Sequence, residues 1–254
     1  MITIISPAKK LDFKSEIRTK EFTSPDLLNY SKILINELQK LNPVDIVKLM
    51  NVSNDIANLN FERNLSWRLP FTVNNARQAL YSFNGQVYLG LDAKTLSEDD
   101  VLFAQDNLRI LSGLYGVLRP LDLIQAYRLE MGISLKNPKG KNLYEFWGEK
   151  ITNIINKELI SHKHKVLINL ASNEYYKSVK PKLIKGEIIT PVFKEAKGND
   201  FKTIAVYAKT ARGLMSRFII QNKIKNPEDI KSFDISGYLY NQDLSTPKQW
   251  VFIR

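Results

Sequence analysis

The chain has 254 residues, 44% of them hydrophobic, enough to bury a substantial core in one large domain or two small ones. It contains no cysteine, which excludes disulfides, thiol peroxidase chemistry, iron–sulfur ligation and cysteine-type zinc sites. Lys and Arg outnumber Asp and Glu by 37 to 26, and the net charge of +11 favours polyanionic partners such as nucleic acid or acidic membrane surfaces, although a lysine-rich surface alone gives the same balance.

The N-terminus starts as a short buried strand, Ile2–Ile5, broken by Ser6-Pro7. Ser24-Pro25-Asp26 reads as a helix start, with a cap, a first-turn proline and an acid near the dipole, and the helix is predicted to run to about Leu41. Asn42-Pro43 begins a second helix and Ser53 caps a third, while Asn74 and Ser97-Glu98-Asp99-Asp100 mark further starts. Gln86–Leu91 and Arg109–Leu111 are predicted as strands, and Leu143–Ile160 as a helix. Val166–Asn169 is another apolar strand. Glu187–Phe193 and Phe201–Tyr207 pair as a hairpin around Gly198-Asn199-Asp200; Ala208–Gln221 is a helix and Gln249–Ile253 a terminal strand. Strands and helices without strict alternation predict an α+β, irregular mixed α/β fold: one domain over 1–254, with a central mixed sheet and surrounding helices.

No repeat, linker or low-complexity tract is visible. No apolar run is long enough to cross a membrane, and MITIISPAKK has apolar residues before basic ones, the reverse of a signal peptide. A cytoplasmic location is therefore expected, with no membrane contact and no obligate protein partner. The two histidines, His162 and His164, lie among lysines and read as a solvated turn; no Glu-x-x-His spacing occurs, so neither a metal site nor a cofactor is expected.

Several segments are candidates for chemistry. Leu108–Gly132 places Gly113, Gly116, Gly132, Arg109, Arg119 and Arg128 in an otherwise apolar run. Such glycines suit tight turns or close backbone approach, and the arginines must reach carboxylates, phosphates or water. In Ala208–Gln221, helical spacing sets Ala211, Leu214, Met215 and Phe218 on one face, with Lys209, Arg212, Gly213 and Ser216 on the other and Arg217 at the flank; a phosphate-contacting surface and a solvated basic face both fit. Asn42–Asn60 has the apolar spacing of a helix-hairpin-helix module, with Asn51-Val52-Ser53 in place of the Gly-hydrophobic-Gly hairpin, and an ordinary helical pair fits equally. Ser6–Lys9 and Asn169–Tyr175 both follow strands, where ligand loops are common. Ser172 reads foremost as a helix cap, and Glu174 as an acid or base beside Lys9 or Lys209.

Taken together these segments resemble the YaaA family, the bacterial peroxide stress resistance proteins. The matching runs are ISPAK at Ile5–Lys9, NARQAL at Asn75–Leu80, FNGQVYLGLDA at Phe83–Ala93, LSGLYGVLRPLDLI at Leu111–Ile124 and YRLEMG at Tyr127–Gly132. They continue with LYEFWG at Leu143–Gly148, INLASNEYYKSVKP at Ile168–Pro181, IITPVFKE at Ile188–Glu195 and YAKTARGLMSRFII at Tyr207–Ile220. Lys10 stands where the family commonly has Thr, and Ala126 where it commonly has Pro. The resemblance implies a single α/β domain with a positively charged cleft and a helix-hairpin-helix element, DNA binding, and protection against hydrogen peroxide linked to limiting free iron.

The leading expectation is a cytosolic DNA-binding protein of the oxidative stress response. Lys9, Lys10, Ser53, Arg119, Arg128, Lys209, Arg212 and Arg217 are the candidate contacts, mainly to the phosphate backbone and dependent on DNA structure more than sequence. The competing expectation is an enzyme acting on a nucleotide, base or phosphorylated small molecule. It would draw on Ser6, Lys9, Ser112, Glu130, Ser172 and Glu174, with Glu130, Glu174, Lys9 and Ser172 as the catalytic candidates; an internal Arg–Glu pair is the plainer role for Glu130. Direct iron chelation is the weakest reading, for want of ligands.

Overall fold

The computed structural model describes residues 1–17, 19–198 and 200–254. Strand β1 (Ile2–Ile5) is apolar and buried at every position, as expected for a strand covered on both faces. The short β2 (Lys10–Leu11) follows. Helix α1 (Leu28–Leu38) starts later than Ser24-Pro25-Asp26 predicts. Ahead of it, Arg119 Nη2 donates to the Ser24 carbonyl at 2.7 Å and to Asp26 Oδ1 at 3.3 Å, and the N-cap position falls to Leu27, with no side-chain cap. Helix α2 (Pro43–Met50) has the predicted start, a capping box between Asn42 and Asp45 with Pro43 in the first turn. Helix α3 (Asn54–Ser66) is capped by Ser53, and the two pack as a hairpin through left-handed Asn51.

Asn74 starts no helix: its neighbour Asn75 closes a turn by accepting from the Thr72 N–H and donating to the Pro70 carbonyl. Next come β3 (Arg77–Gln78), α4 (Ala79–Ser82), β4 (Phe83–Asn84) and α5 (Gln86–Leu91). The predicted Gln86–Leu91 strand is thus a helix, burying Val87, Tyr88, Gly90 and Leu91 against a neighbouring helix. Helix α6 (Glu98–Asn107) has a Ser97/Asp100 capping box and leads straight into β5 (Leu108–Ser112), β6 (Gly116–Leu118) and β7 (Leu123–Ile124). The predicted Leu143–Ile160 helix is two, α7 (Leu143–Trp147) and α8 (Lys150–Leu159), divided at Gly148 with φ of 51°.

Strand β8 (Val166–Asn169), α9 (Asn173–Tyr176), β9 (Glu187–Lys197) and β10 (Asp200–Lys202) follow. Strands β9 and β10 pair antiparallel, and Asn199 of the turn predicted between them lies outside the described residues. The second strand ends at Lys202 and not at Tyr207, because α10 (Ala205–Gln221) begins before Tyr207. Strands β11 (Leu239–Thr246) and β12 (Gln249–Ile253) end the chain.

The main sheet has the order β11-β12-β9-β8-β1-β5-β6, with β10 paired to β9. Strands β12, β9, β8, β1 and β5 run parallel to their neighbours; β6 and β11 are antiparallel at the edges. The architecture is α/β, with helices packed on a mixed, largely parallel sheet. Helices α6 and α8 both pack on β1, and α10 packs on α5 and β9. Among the described residues no helix is long and apolar enough to cross a membrane.

The three arginines of the Leu108–Gly132 run all meet carboxylates. Arg109, buried on β5, donates through Nε to both Glu158 oxygens at 2.8 Å; Arg119 pairs with Asp122 at 3.0 Å and Arg128 with Glu130 at 2.9 Å. An isolated guanidinium among these apolar side chains would be costly, so the pairing is what makes the run tolerable.

Candidate functional site

Strands β1 and β8 are parallel neighbours, with Ile2 opposite Leu167 and Ile4 opposite Asn169, so the chain leaves the sheet at adjacent points after each. The next strand of this sheet after β1 is β5 on one side, whereas β8 enters on the other. The strand order therefore reverses here, and a crevice opens beyond the carboxyl ends of both strands, the usual ligand position in open α/β sheets.

That crevice encloses about 320 Å³. Ser6 to Lys10 supply one wall and Ser172, Glu174 and Tyr175 another, with Glu130 at the base; Asn84 to Tyr88 and the α10 residues Lys209 and Arg212 complete it. The two strand-end segments are tied directly: the Ser172 N–H donates to Ser6 Oγ at 2.8 Å, and the Ser6 hydroxyl donates to Ser172 Oγ at 3.2 Å. Ser172 stands at the N-terminus of α9, but its side chain makes no capping bond, contrary to the capping reading. It is occupied by Ser6.

Two carboxylates reach the crevice. Glu174 Oε1 accepts the Gly132 N–H at 2.9 Å, and a Cβ at Gly132 would sit 3.3 Å from that oxygen, so the missing side chain keeps the approach open. Glu130 Oε1 lies 3.1 Å from Lys9 Nζ and 2.9 Å from Arg128 Nη2. Both cations are within ion-pair distance, yet neither meets that buried oxygen along a hydrogen-bonding direction, and Arg128 Nε is likewise buried without a partner. Lys9 is 68% exposed and belongs to the rim, whereas Glu130 at 14% belongs to the floor.

The rim is cationic. Lys10, Lys209 and Arg212 have no ion pair among the described residues, and burial pulls the half-buried Arg212 guanidinium below its ordinary value. The phenols of Tyr88 and Tyr175 are pushed far above the ordinary tyrosine range, in each case by burial first. Both therefore remain protonated at neutral pH, and the Tyr88 hydroxyl donates to the Ser6 carbonyl at 3.1 Å.

Of the residues singled out in the sequence, Ser6, Lys9, Lys10, Glu130, Ser172, Glu174, Lys209 and Arg212 come together here. Arg128 stands directly behind, against Lys9, Glu130 and Tyr175 in a small side cavity. The others lie outside the crevice lining. Arg217 Nη1 donates to the Leu91 and Asp92 carbonyls at the end of α5; Arg119 is held by Asp122, Asp26 and the Ser24 carbonyl; Ser53 accepts from the Ile56 N–H; and Ser112 is buried against the Tyr127 hydroxyl. The polar face expected on α10 is also smaller than its spacing suggests, because Gly213 and Ser216 are buried. Sequence reasoning missed Asn84, Gln86 and Tyr88, having placed Gln86–Leu91 on a strand; Gly85 beside them, where a Cβ would meet Ala8 at 3.0 Å, was the available sign of close approach to the Ser6–Lys9 loop.

The fold and the crevice define an α/β protein with a cation-rimmed, carboxylate-floored site at a topological reversal of its sheet. Residues 1–244 match the family model described as peroxide stress protein YaaA, and the chain belongs to that family. It is similar along its full length to proteins named UPF0246: 55% identical to one from Colwellia psychrerythraea, covering 99% of that relative, and 55% identical to one from Aliivibrio fischeri, covering 98%. A Shewanella amazonensis relative is 54% identical, again over 254 residues.

Proposed function

We propose that this protein acts in the response to peroxide by binding the phosphate backbone of DNA across the crevice rim, shielding it from radicals that free iron and peroxide generate. Family membership supports the peroxide role. The observation that carries the DNA reading is the convergence of Lys10, Lys209 and Arg212, from two separate segments and without carboxylate partners among the described residues, on one concave surface. Cations left unpaired around a concavity favour a polyanion, and counterion release makes such binding steeply salt-dependent. As a second point for backbone contact we take the α2–α3 hairpin, where Asn51 is left-handed and Ser53 caps α3. The proposed protection acts on the DNA and calls for no iron bound by the protein.

Fluorescence anisotropy with a labelled duplex, repeated from low to physiological salt, tests the reading. A steep linear fall of log affinity with log salt is expected; affinity indifferent to salt overturns it.

A second reading, an enzyme acting on a nucleotide, base or phosphorylated small molecule, draws on the same crevice. Lys9, Glu130, Ser172 and Glu174 all line it, which places acids, a cation and a hydroxyl around one cavity. Mass spectrometry of nucleotides and oligonucleotides incubated with the protein tests it, and unchanged masses throughout would rule against it.

A further inference from the structure

The crevice is layered in a way that a phosphate backbone alone does not explain. Its rim carries Lys10, Lys209 and Arg212, but the carboxylate of Glu130 lies at its base and that of Glu174 in its wall. Inorganic phosphate or a paired duplex would engage only the rim and leave the carboxylates unused. The ligand that fits both layers is anionic at one end and presents N–H donors at the other.

Between the layers the wall is largely apolar, with Pro7 and Val87 and the rings of Tyr88 and Tyr175. A flat heteroaromatic body suits such a wall. The volume, about 320 Å³, is near the lower end of small-molecule sites and has room for one nucleotide but not for a double helix.

The two carboxylates also have acceptor capacity to spare. Glu130 Oε1 is buried beside Lys9 and Arg128 and Glu174 Oε1 is held by the Gly132 N–H, but the Oε2 of each has no hydrogen-bond partner among the described residues. We infer that the crevice binds a single nucleotide unit, its phosphate on Lys10, Lys209 and Arg212 and the donor edge of its base on Glu130 and Glu174. Guanine fits best, because its N1–H and N2 amine put two donors on one edge, one for each carboxylate, whereas adenine and cytosine offer only an amine there. The unit is either a free mononucleotide or an unpaired nucleotide turned out of DNA, and extrusion is cheapest where the base is already unpaired.

The inference rests on the proposed binding of nucleic acid at the crevice, and the experiment separates the two. The full chain is titrated calorimetrically with guanosine 5′-monophosphate and with ribose 5-phosphate, which lacks the base. Fluorescence anisotropy then compares a paired duplex with one carrying a single bulged guanine. The mononucleotide is expected to bind at least tenfold tighter than ribose 5-phosphate, and E130Q to bring that ratio close to one. Equal binding of the two ligands by the wild-type chain overturns the inference even if duplex DNA is bound, and that result leaves the DNA reading standing. Failure to bind any of the four ligands overturns both. The wild-type ratio decides the question without relying on the variant, and a preference for the bulged over the paired duplex identifies DNA as the source of the nucleotide.

Discussion

Ser6 and Ser172, 166 positions apart, are joined by two hydrogen bonds, and the Ser6 hydroxyl oxygen takes part in both. Removing the Ser6 hydroxyl leaves the Ser172 N–H without its partner, whereas removing the Ser172 hydroxyl leaves that bond intact. Ser6→Ala is therefore expected to cost about 1–2 kcal/mol in urea unfolding, and Ser172→Ala about half of that or less. A Ser172→Ala cost equal to or above that of Ser6→Ala would restore the capping role that the geometry denies to Ser172.

Gly213 and Gly90 let α10 and α5 cross almost backbone to backbone. A Cβ at Gly213 would lie 1.9 Å from the Val87 carbonyl oxygen, and one at Gly90 would lie 2.3 Å from that of Thr210. Alanine at position 213 raises helix propensity by about 1 kcal/mol, but the clash is with backbone and cannot be relieved by a rotamer change. We expect Gly213→Ala to destabilise the protein by about 2–3 kcal/mol net and to lower the melting temperature accordingly. Gly198→Ala, with open space around the Cβ but φ of 62°, should cost only about 1–2 kcal/mol.

The same glycine shows how far the sequence could be read. Gly213 stood out there as an expensive residue in mid-helix, and its expense has a structural cause: the partner glycine sits in α5, more than a hundred residues earlier. Local rules located the capped helices α2, α3 and α6 and the buried strands β1, β5 and β8, because caps and apolar runs are local features. They failed where a distant side chain intervened. Arg119 holds the Ser24 carbonyl and Asp26 ahead of α1, whose start falls to Leu27, and α10 packs on an apparent strand that is α5. For the crevice, residue types and strand ends pointed to Ser6–Lys9 and Asn169–Glu174. Nothing local, however, could tell that Arg217 serves the end of α5 while Arg212, one and a half turns away, faces the cavity.

Asp12 supplies a pH dependence. The Ser15 hydroxyl above all, then the Ser15 backbone N–H, hold its carboxyl well below the usual range; the Lys14 N–H and Lys94 assist, and burial opposes them. The fold thus favours the ionised form. Its contribution is complete above the unfolded carboxylate value of about 4 and is lost as pH falls below it toward the lower folded value. Hydrogen bonds to an ionised group contribute about 1.5–3 kcal/mol each, so Asp12→Asn should lower stability at pH 7 by an amount of that order. The gap between wild type and variant in urea unfolding should narrow steadily from pH 4 to pH 2; a gap independent of pH would show that the charge of Asp12 is irrelevant.

The arginines of α10 separate binding from stability. Arg212 and its neighbour Lys209 face the crevice without carboxylate partners among the described residues, whereas Arg217 donates to the Leu91 and Asp92 carbonyls at 3.0 and 2.8 Å. If the first two contact phosphates, the Lys209→Ala/Arg212→Ala double variant should flatten the slope of log affinity against log salt by about 1.8, from about 0.9 per contact. Its unfolding free energy should change little, because half-buried Arg212 has no ion pair to lose. Arg217→Ala should do the reverse: it leaves the Leu91 carbonyl at the end of α5 unpaired while that of Asp92 keeps its bonds from Thr95, costs about 1–3 kcal/mol of stability, and keeps the salt slope. Anisotropy at graded salt, paired with urea unfolding of both variants, measures the two effects on separate axes. A flattened slope in Arg217→Ala, or an unchanged one in the double variant, would move the phosphate-binding surface away from the crevice.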